Sequence, residues 1–458
     1  MVTLANQPAG VDPKVAPGPG SMIWTLVPAL RDPLAFLVRV HREYGDFVEL
    51  RKGVNFLVAN PDGIKRVLQD NHLNYQKGSR YRRAVGRLMG DGLLTAEGEA
   101  WKRQRHLAQP AFLRSQHQHF AETIVRHTNE LVAQCQAAAR AGTAIDLHHA
   151  IAHCSLTIML DLMFSDDLHD RSESLANAFL EAEQSLNVVR VFLPVEIPAW
   201  MPTPSNIRFN RALAVLDGFI ADVIAHRRRS GVVRQDLLAA YLNARDEEHG
   251  TGLDDRLLRD EMITLLSAGH ETVSDSLTWA FFELMKHPEC YERVCAEADG
   301  ASSKAAPLEA AAAVPYTTMA FQEALRLYPP GWGFLRTAIK EDEILGYRIR
   351  AGTRLVLSPY LMHRDARLWE EPDRFDPERF TPERSSGRHR FAWFPFSAGP
   401  RMCIGAGMAM LEAQLLIAML SRAVRFELVE GQAIRPLPRV SLKPDRPVMV
   451  HARLRAGA

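Results

Sequence analysis

The chain has 458 residues, with 55 Lys and Arg against 54 Asp and Glu, 47 % apolar residues and five cysteines. That apolar fraction suits a large packed core and excludes wholesale disorder and collagen-like repeats. A net charge of +1 speaks against an extended nucleic-acid surface. The cysteines are scattered, odd in number and without CxxC spacing, so they make no disulfide framework or zinc motif and fit a reducing compartment.

Residues 1–21 are rich in Pro and Gly and are expected to form a flexible arm, leaving 22–458 as a single domain. The stretch 22–40 is interrupted by Pro28, Arg31, Asp32, Pro33 and Arg39. A spanning helix needs about 20 mostly apolar residues, so a soluble, cytoplasmic protein without a membrane anchor is expected. Short alternating runs at 46–50 and 55–59, divided by Lys52 and Gly53, predict a hairpin. From 61 to 288 helical periodicity dominates, with breaks at 90–92, 194–204 and 249–252. Asp254 is placed to cap a long helix running to about 286. The Ala-rich segment 301–313 reads as a loose helix or a loop. After Pro329 and Pro330, strands are predicted near 343–349 and 353–357, then a turn-rich section over 363–401. A last helix follows Cys403 and runs to about 421. The fold class is mostly α with small β-sheets (α+β).

Cys135, Cys154, Cys290 and Cys295 lie in helical text, where a small buried hydrophobe accounts for them. Cys403 lies in FPFSAGPRMCIGAGMA, a glycine-punctuated loop entering a helix, where the helix dipole and free backbone N–H groups favour thiolate. Gly399 and Gly405, lacking Cβ, would let backbone approach a flat ligand closely. Phe396 can shield the sulfur, and Arg401 can pair with an anionic group. The picture is a protected thiolate under a planar, anionic cofactor, which haem satisfies. A nucleophilic cysteine is the rival reading and needs a base that this loop lacks.

The string F-x-x-G-x-R-x-C-x-G, filled by Phe396, Gly399, Arg401, Cys403 and Gly405, resembles the haem-binding signature of the cytochrome P-450 monooxygenases. Glu323 and Arg326 in FQEALRLYPP, at i,i+3 spacing, would pass alone for a surface ion pair. The family's E-x-x-R, joined by an Arg from a P-E-R-F segment, implies instead a buried Glu323–Arg326–Arg379 network. The long helix carries LLSAGHETVSD, similar to the family's A-G-x-[DE]-T oxygen-activation motif, with Ala268, Gly269, Glu271 and Thr272 in place. Glycine inside a helix costs about 1 kcal/mol relative to Ala. Gly269 is therefore expected to admit a flat cofactor or dioxygen, while Thr272 returns its hydroxyl to a backbone carbonyl. A zinc reading of His270 and Glu271 fails because Ser274 stands where the second His belongs. Trp101 and Arg105 match the family's W-x-x-x-R helix, which implies hydrogen bonds to the haem propionates; a helix-surface aromatic–cation pair would look the same. Arg336 and His363 are further propionate candidates.

The resemblance implies haem b ligated by the Cys403 thiolate, held between the long helix and the cysteine loop. It implies a monooxygenase that inserts one atom of O2 into a lipophilic small molecule by C–H hydroxylation or epoxidation, with Glu271 and Thr272 delivering protons. A peroxygenase or isomerase, or a non-catalytic haem-binding module, are the alternatives, and the acid–threonine pair favours the monooxygenase. No stretch resembles a flavin or iron–sulfur domain. Electrons are thus expected from a separate ferredoxin and its reductase, or a flavodoxin-type donor, docking on residues such as Lys102, Arg103 and Arg401. The chain is expected to be monomeric. A substrate pocket is expected from 81–94, 192–201 and 332–335, with Leu94, Leu265, Ala268, Trp332 and Phe334 facing it. Arg80, Arg82, Arg83 and Arg87 would meet an acidic substrate end or form a solvated face.

Overall fold

The long helix starts where a capping residue predicts it. Asp254 has extended backbone and its carboxylate accepts the Leu257 N–H at 2.7 Å, opening a helix over Asp255–Lys286. Its 32 residues make it about 48 Å long at 1.5 Å per residue. The protein is described as a computed structural model covering residues 14–20, 22–184, 200–231, 234–245, 250–301 and 305–455. The central helix is buried along most of its length and packs most extensively on Leu147–Phe164. A second pairing sets the last helix, Ala406–Ala423, against His117–Ala141.

Two helices, Leu147–Phe164 and Ala406–Ala423, are long and apolar enough to cross a membrane, but more than half of each is buried inside the protein. That is the environment of a core helix. The interrupted stretch 22–40 folds as Met22–Arg31 and Pro33–Tyr44, with Asp32 capping the second helix through the Ala35 N–H.

The expected hairpin is present as Phe47–Arg51 against Asn55–Val58, turning through Gly53 at a φ of 65°. It belongs to a five-stranded sheet in the order Phe47–Arg51, Asn55–Val58, Arg354–Leu357, Phe334–Ala338, Tyr75–Gln76. Phe334–Ala338 was not expected from the sequence, and it joins residues far apart in the chain: Gln76 lies opposite Thr337. The run 343–349 is not one strand but a small hairpin, Asp342–Ile344 with Tyr347–Ile349. It reverses at Leu345 and Gly346, both at positive φ. A three-stranded sheet joins Ala144–Asp146, Met449–Leu454 and Val424–Leu428. The Ala-rich segment contains the short helix Pro307–Ala312.

Part of the expected flexible arm is docked. The Glu49 N–H donates to the Pro17 carbonyl at 2.7 Å, and a Cβ at Gly18 would collide with the Glu49 carbonyl. Residues 17–18 therefore dock on the edge strand Phe47–Arg51, while 1–13 and 21 lie outside the described residues.

Two apolar cores result, one helical and one against the five-stranded sheet. The cysteine loop bridges them: Phe394 and Ala398 belong to the sheet-side core, whereas Phe396 and Ile404 pack on the helical one.

Candidate active site

Four cysteines have the environment their helical setting suggests. Cys135, Cys154, Cys290 and Cys295 are buried, and burial pushes their thiols up, Cys135 to about 12. Cys403 differs in placement. Its side chain has open surface, yet protein encloses it at depth, so it faces an internal space. Its N–H donates to the Phe396 carbonyl at 2.9 Å, fixing the loop. Burial pushes this thiol up as well; the Gly405 N–H and the Arg105 charge oppose that push. Neither opposing group is a base, so neither activates a free nucleophile. The helix starts at Ala406 with Gly405 as its cap, which places Cys403 just outside the first turn. The dipole alone does not deliver a thiolate here, whereas coordination to a metal cation deprotonates a thiol outright.

The glycines divide. Gly405 has nothing within 4 Å of where a Cβ would stand. Gly399, at a φ of 68°, instead makes room for the Leu68 carbonyl, so its close approach is to the chain's own backbone and not to a ligand.

Beside this loop, cations outnumber anions. Arg105, on Gly98–Ala108, donates to the Met402 carbonyl at 3.1 Å. Arg401 pairs with Glu97, donates to the Ala96 carbonyl at 3.1 Å, and lies 4.3 Å over the Trp101 ring. Its charge is thus satisfied by protein, and Arg401 fixes Glu97 and Trp101 rather than waiting for an anion. Arg336 is only 6 % exposed. Among the described residues it donates to its neighbour Leu335's carbonyl at 2.9 Å and has no carboxylate at ion-pair distance. Burial and the nearby Arg401 lower it to about 10. Lys77, which sequence reasoning missed, donates to the Leu94 carbonyl. Burial, Arg336 and Arg401 push it down to about 7. Three cations, the buried Arg336 and the half-buried Lys77 and Arg401, therefore share one carboxylate, Glu97. Buried charge without a partner is costly, and a dicarboxylate cofactor is what would offset this excess. The donor set fits the propionates of haem.

His363 does not belong to that group. It is fully buried, its Nε2 accepts the Phe394 N–H at 3.0 Å, and its Nδ1 faces the Arg326 carbonyl at 3.2 Å. It is a neutral strut between two backbone segments, held uncharged chiefly by burial.

The E-x-x-R residues form the buried network and not a surface pair. Arg326 grips Glu323 through Nε and Nη2, at 2.7 and 2.8 Å. It also donates to the carbonyls of His363, Pro372 and Arg374 at 2.6–3.0 Å. Arg379 approaches Glu323 to 3.3 Å and donates to the Glu371 carbonyl at 2.9 Å. Glu323 and Arg326 are wholly buried and Arg379 nearly so.

On the central helix, Ala268 is exposed and Gly269, Glu271 and Thr272 are half-buried, between turns that are otherwise buried. This window faces an internal space. The Thr272 hydroxyl donates to the Ala268 carbonyl at 2.8 Å, as expected, and leaves its oxygen free to accept. Gly269 serves packing instead: a Cβ there would sit 2.6 Å from the Met159 sulfur on Leu147–Phe164. Glu271 is raised to about 7 by burial and by Asp275, against the pull of Lys443 at 3.6 Å. A carboxyl titrating near neutrality can both take and give a proton. His270 is buried edge-on to Phe179 and lowered to about 3 by burial, so it is a neutral core residue.

The expected pocket residues are only partly brought together. Leu94 is half-buried and Leu265 is 6 % exposed. Trp332 is tied by its indole N–H to the Arg439 carbonyl at 3.0 Å, and Phe334 packs over Gly331 and near Phe394. Both join the sheet-side core. Residues 192–199, and the side chain of Arg80, lie outside the described residues. Arg82 and Arg256 pair with Asp91, and Arg87 reaches Asn206 and Phe209. These arginines line an open cavity of about 460 Å3. Of the expected docking cations, Arg103 is bonded to Thr251 and Gly252 at 3.0–3.2 Å and Lys102 to Glu99 at 2.6 Å.

The cytochrome P450 family model matches residues 13–451. Cyclooctatin synthase of Streptomyces melanosporofaciens is 34 % identical over 441 residues, 93 % of each chain. Pentalenene oxygenase of Streptomyces avermitilis is 31 % identical, covering 92 % of this chain and 93 % of its own. The crystal structure of the cytochrome P450DA heme domain superposes with a TM-score of 0.85 at 22 % identity, covering 96 % of this chain and 98 % of that one, which supports the fold. The chain therefore belongs to the cytochrome P450 family, as a monooxygenase whose cofactor is haem b on a cysteine thiolate.

Proposed function

We propose that this protein oxygenates a terpenoid hydrocarbon or alcohol, with Cys403 as the iron ligand. Three of the relatives it resembles over nearly their whole length carry terpene-oxygenating names, and the helix window at 268–272 presents Ala268 as its exposed side chain. Lys77, Arg336 and Arg105 hold the propionates, and Arg401 with Glu97 and Trp101 braces them. Thiolate-bound haem supplies the cleavage of dioxygen and the oxidation of carbon. Around it, Thr272 accepts a hydrogen bond at its hydroxyl oxygen, and Glu271 passes protons to it from the outer side. The observation that carries the haem part of this reading is the three-to-one excess of cations over carboxylate beside the Cys403 loop. Electrons come from a separate protein, a ferredoxin with its reductase. The chain works as a soluble, cytoplasmic monomer, a single domain that takes in the docked residues 14–20.

Titration of the haem-loaded protein with cyclic terpenoids and with fatty acids, followed by the Soret band and mass spectrometry of turnovers, tests the substrate class. Terpenoids should drive a low- to high-spin shift and gain one oxygen. Oxygenated fatty acids with no terpenoid product would overturn it. Thr272→Ala should divert electrons to hydrogen peroxide; unchanged coupling would remove Thr272 from the proton path.

A further inference from the structure

Glu271 sits at one end of a buried line of ionisable groups that the proton reading has not used. Asp275, one turn further along the central helix, lies on the same face. Its side chain is wholly buried, and its Oδ1 accepts the His148 Nε2 hydrogen bond at 2.8 Å. Among the described residues its other oxygen has no partner. His148 stands on Leu147–Phe164, the helix packed against the central one, and 27 % of its side chain is exposed.

The other groups facing Glu271 come from three directions. Lys443, on the strand Leu442–Pro444, lies 3.6 Å from its Oε1. Glu183, near the end of Ser172–Gln184, adds a carboxyl that burial and Glu271 raise. His270 lies beside Glu271 on its own helix but is buried and neutral. Lys443 reaches solvent, yet an ammonium has no lone pair and cannot receive a proton. An imidazole can take a proton at one nitrogen while giving one from the other. His148 alone among these groups joins that chemistry to both solvent and a buried carboxylate.

We infer that His148 and Asp275 form the proton inlet of this site, His148 loading from solvent and giving its Nε2 proton to Asp275, which passes it towards Glu271. Each group returns to its starting charge as one proton enters and one leaves. The two act through Glu271, as positioning residues, and the inference rests on the Glu271–Thr272 reading above. The sensitivity of Glu271 to both groups agrees with it: Asp275 raises it and His148 lowers it.

The test uses the resting, haem-loaded enzyme and the infrared band of protonated carboxyls against pH, with Glu271→Gln identifying the Glu271 contribution. Asp275→Asn removes a like charge, so the Glu271 midpoint should fall. His148→Gln removes a group that lowers Glu271, so the midpoint should rise. In turnover both variants should leak several-fold more peroxide and show a larger solvent deuterium effect. A structural role alone would lower melting temperature without moving the midpoint in opposite senses. Unmoved midpoints or unchanged coupling overturn the inlet. His148→Gln, at a half-exposed position, decides the matter should Asp275→Asn fail to fold. If Thr272→Ala uncouples and His148→Gln does not, the inlet alone fails; if neither does, the relay reading fails with it.

Discussion

Two clusters of cations around a single carboxylate each, one at Glu323 and one at Glu97, are built to opposite rules. Around Glu323, the guanidinium groups of Arg326 and Arg379 are closed by one carboxylate and four backbone carbonyls. Around Glu97, the cations Lys77, Arg336 and Arg401 share a single carboxylate, and burial lowers all three. The first cluster is complete within the chain and holds the segment 363–379 in place. The second is left with positive charge in excess, which the haem-free protein relieves in part by releasing the Lys77 proton and which an outside dianion would balance. Burial alone therefore does not separate a structural ion cluster from a binding one. The count of partners does.

That contrast can be broken from either side. The largest effect is expected from Glu323→Ala, which strands Arg326 and Arg379 without a carboxylate. Breaking a buried pair this way costs about 3–5 kcal/mol, and denaturant unfolding should show it with or without haem. Arg336→Leu should act in the opposite sense on the haem-free protein, which it should leave equally stable or more so. Its cost falls on cofactor retention: a buried charged hydrogen bond of about 1.5–3 kcal/mol implies haem loss to apomyoglobin about tenfold faster or more. Equal destabilisation of both forms by Arg336→Leu would merge the two clusters into one kind.

The smallest effect is a pH dependence. Lys77 is lowered from its ordinary 10.5 to about 7. Between those values the unfolded chain binds a proton that the folded haem-free protein does not. Stability of the haem-free protein should therefore rise with pH across that window. Lys77→Met should flatten the slope, and so should bound haem, whose carboxylates restore the ammonium. Unfolding midpoints measured from pH 7 to 10 on both proteins check it.

Much of the site was legible because its chemistry is local. Cys403, Glu323 with Arg326, and Glu271 with Thr272 each sit in short strings whose spacing carries meaning within one loop or one helical turn. Asp254 announced the central helix for the same reason. Other parts were misread. Gly269 and Gly399 do make close approaches, but to Met159 and the Leu68 carbonyl, because a glycine's missing Cβ says that something comes near without saying what. His363 looked like an available ligand, while folding spends both its nitrogens on backbone.

Lys77 and His148 were invisible to sequence reading. Lys77 meets Arg336 only because Tyr75–Gln76 pairs with Thr337 and Ala338, and His148 meets Asp275 only across a helix–helix contact. The sequence by itself determined the helical frame, the cysteine proposed as the iron ligand and the acid–alcohol pair, since periodicity, caps and short motifs act over a few residues. The tertiary structure decided which buried charges are closed and which stay open, because the balance of charge in a low-dielectric interior depends on neighbours that the chain brings together from hundreds of residues away.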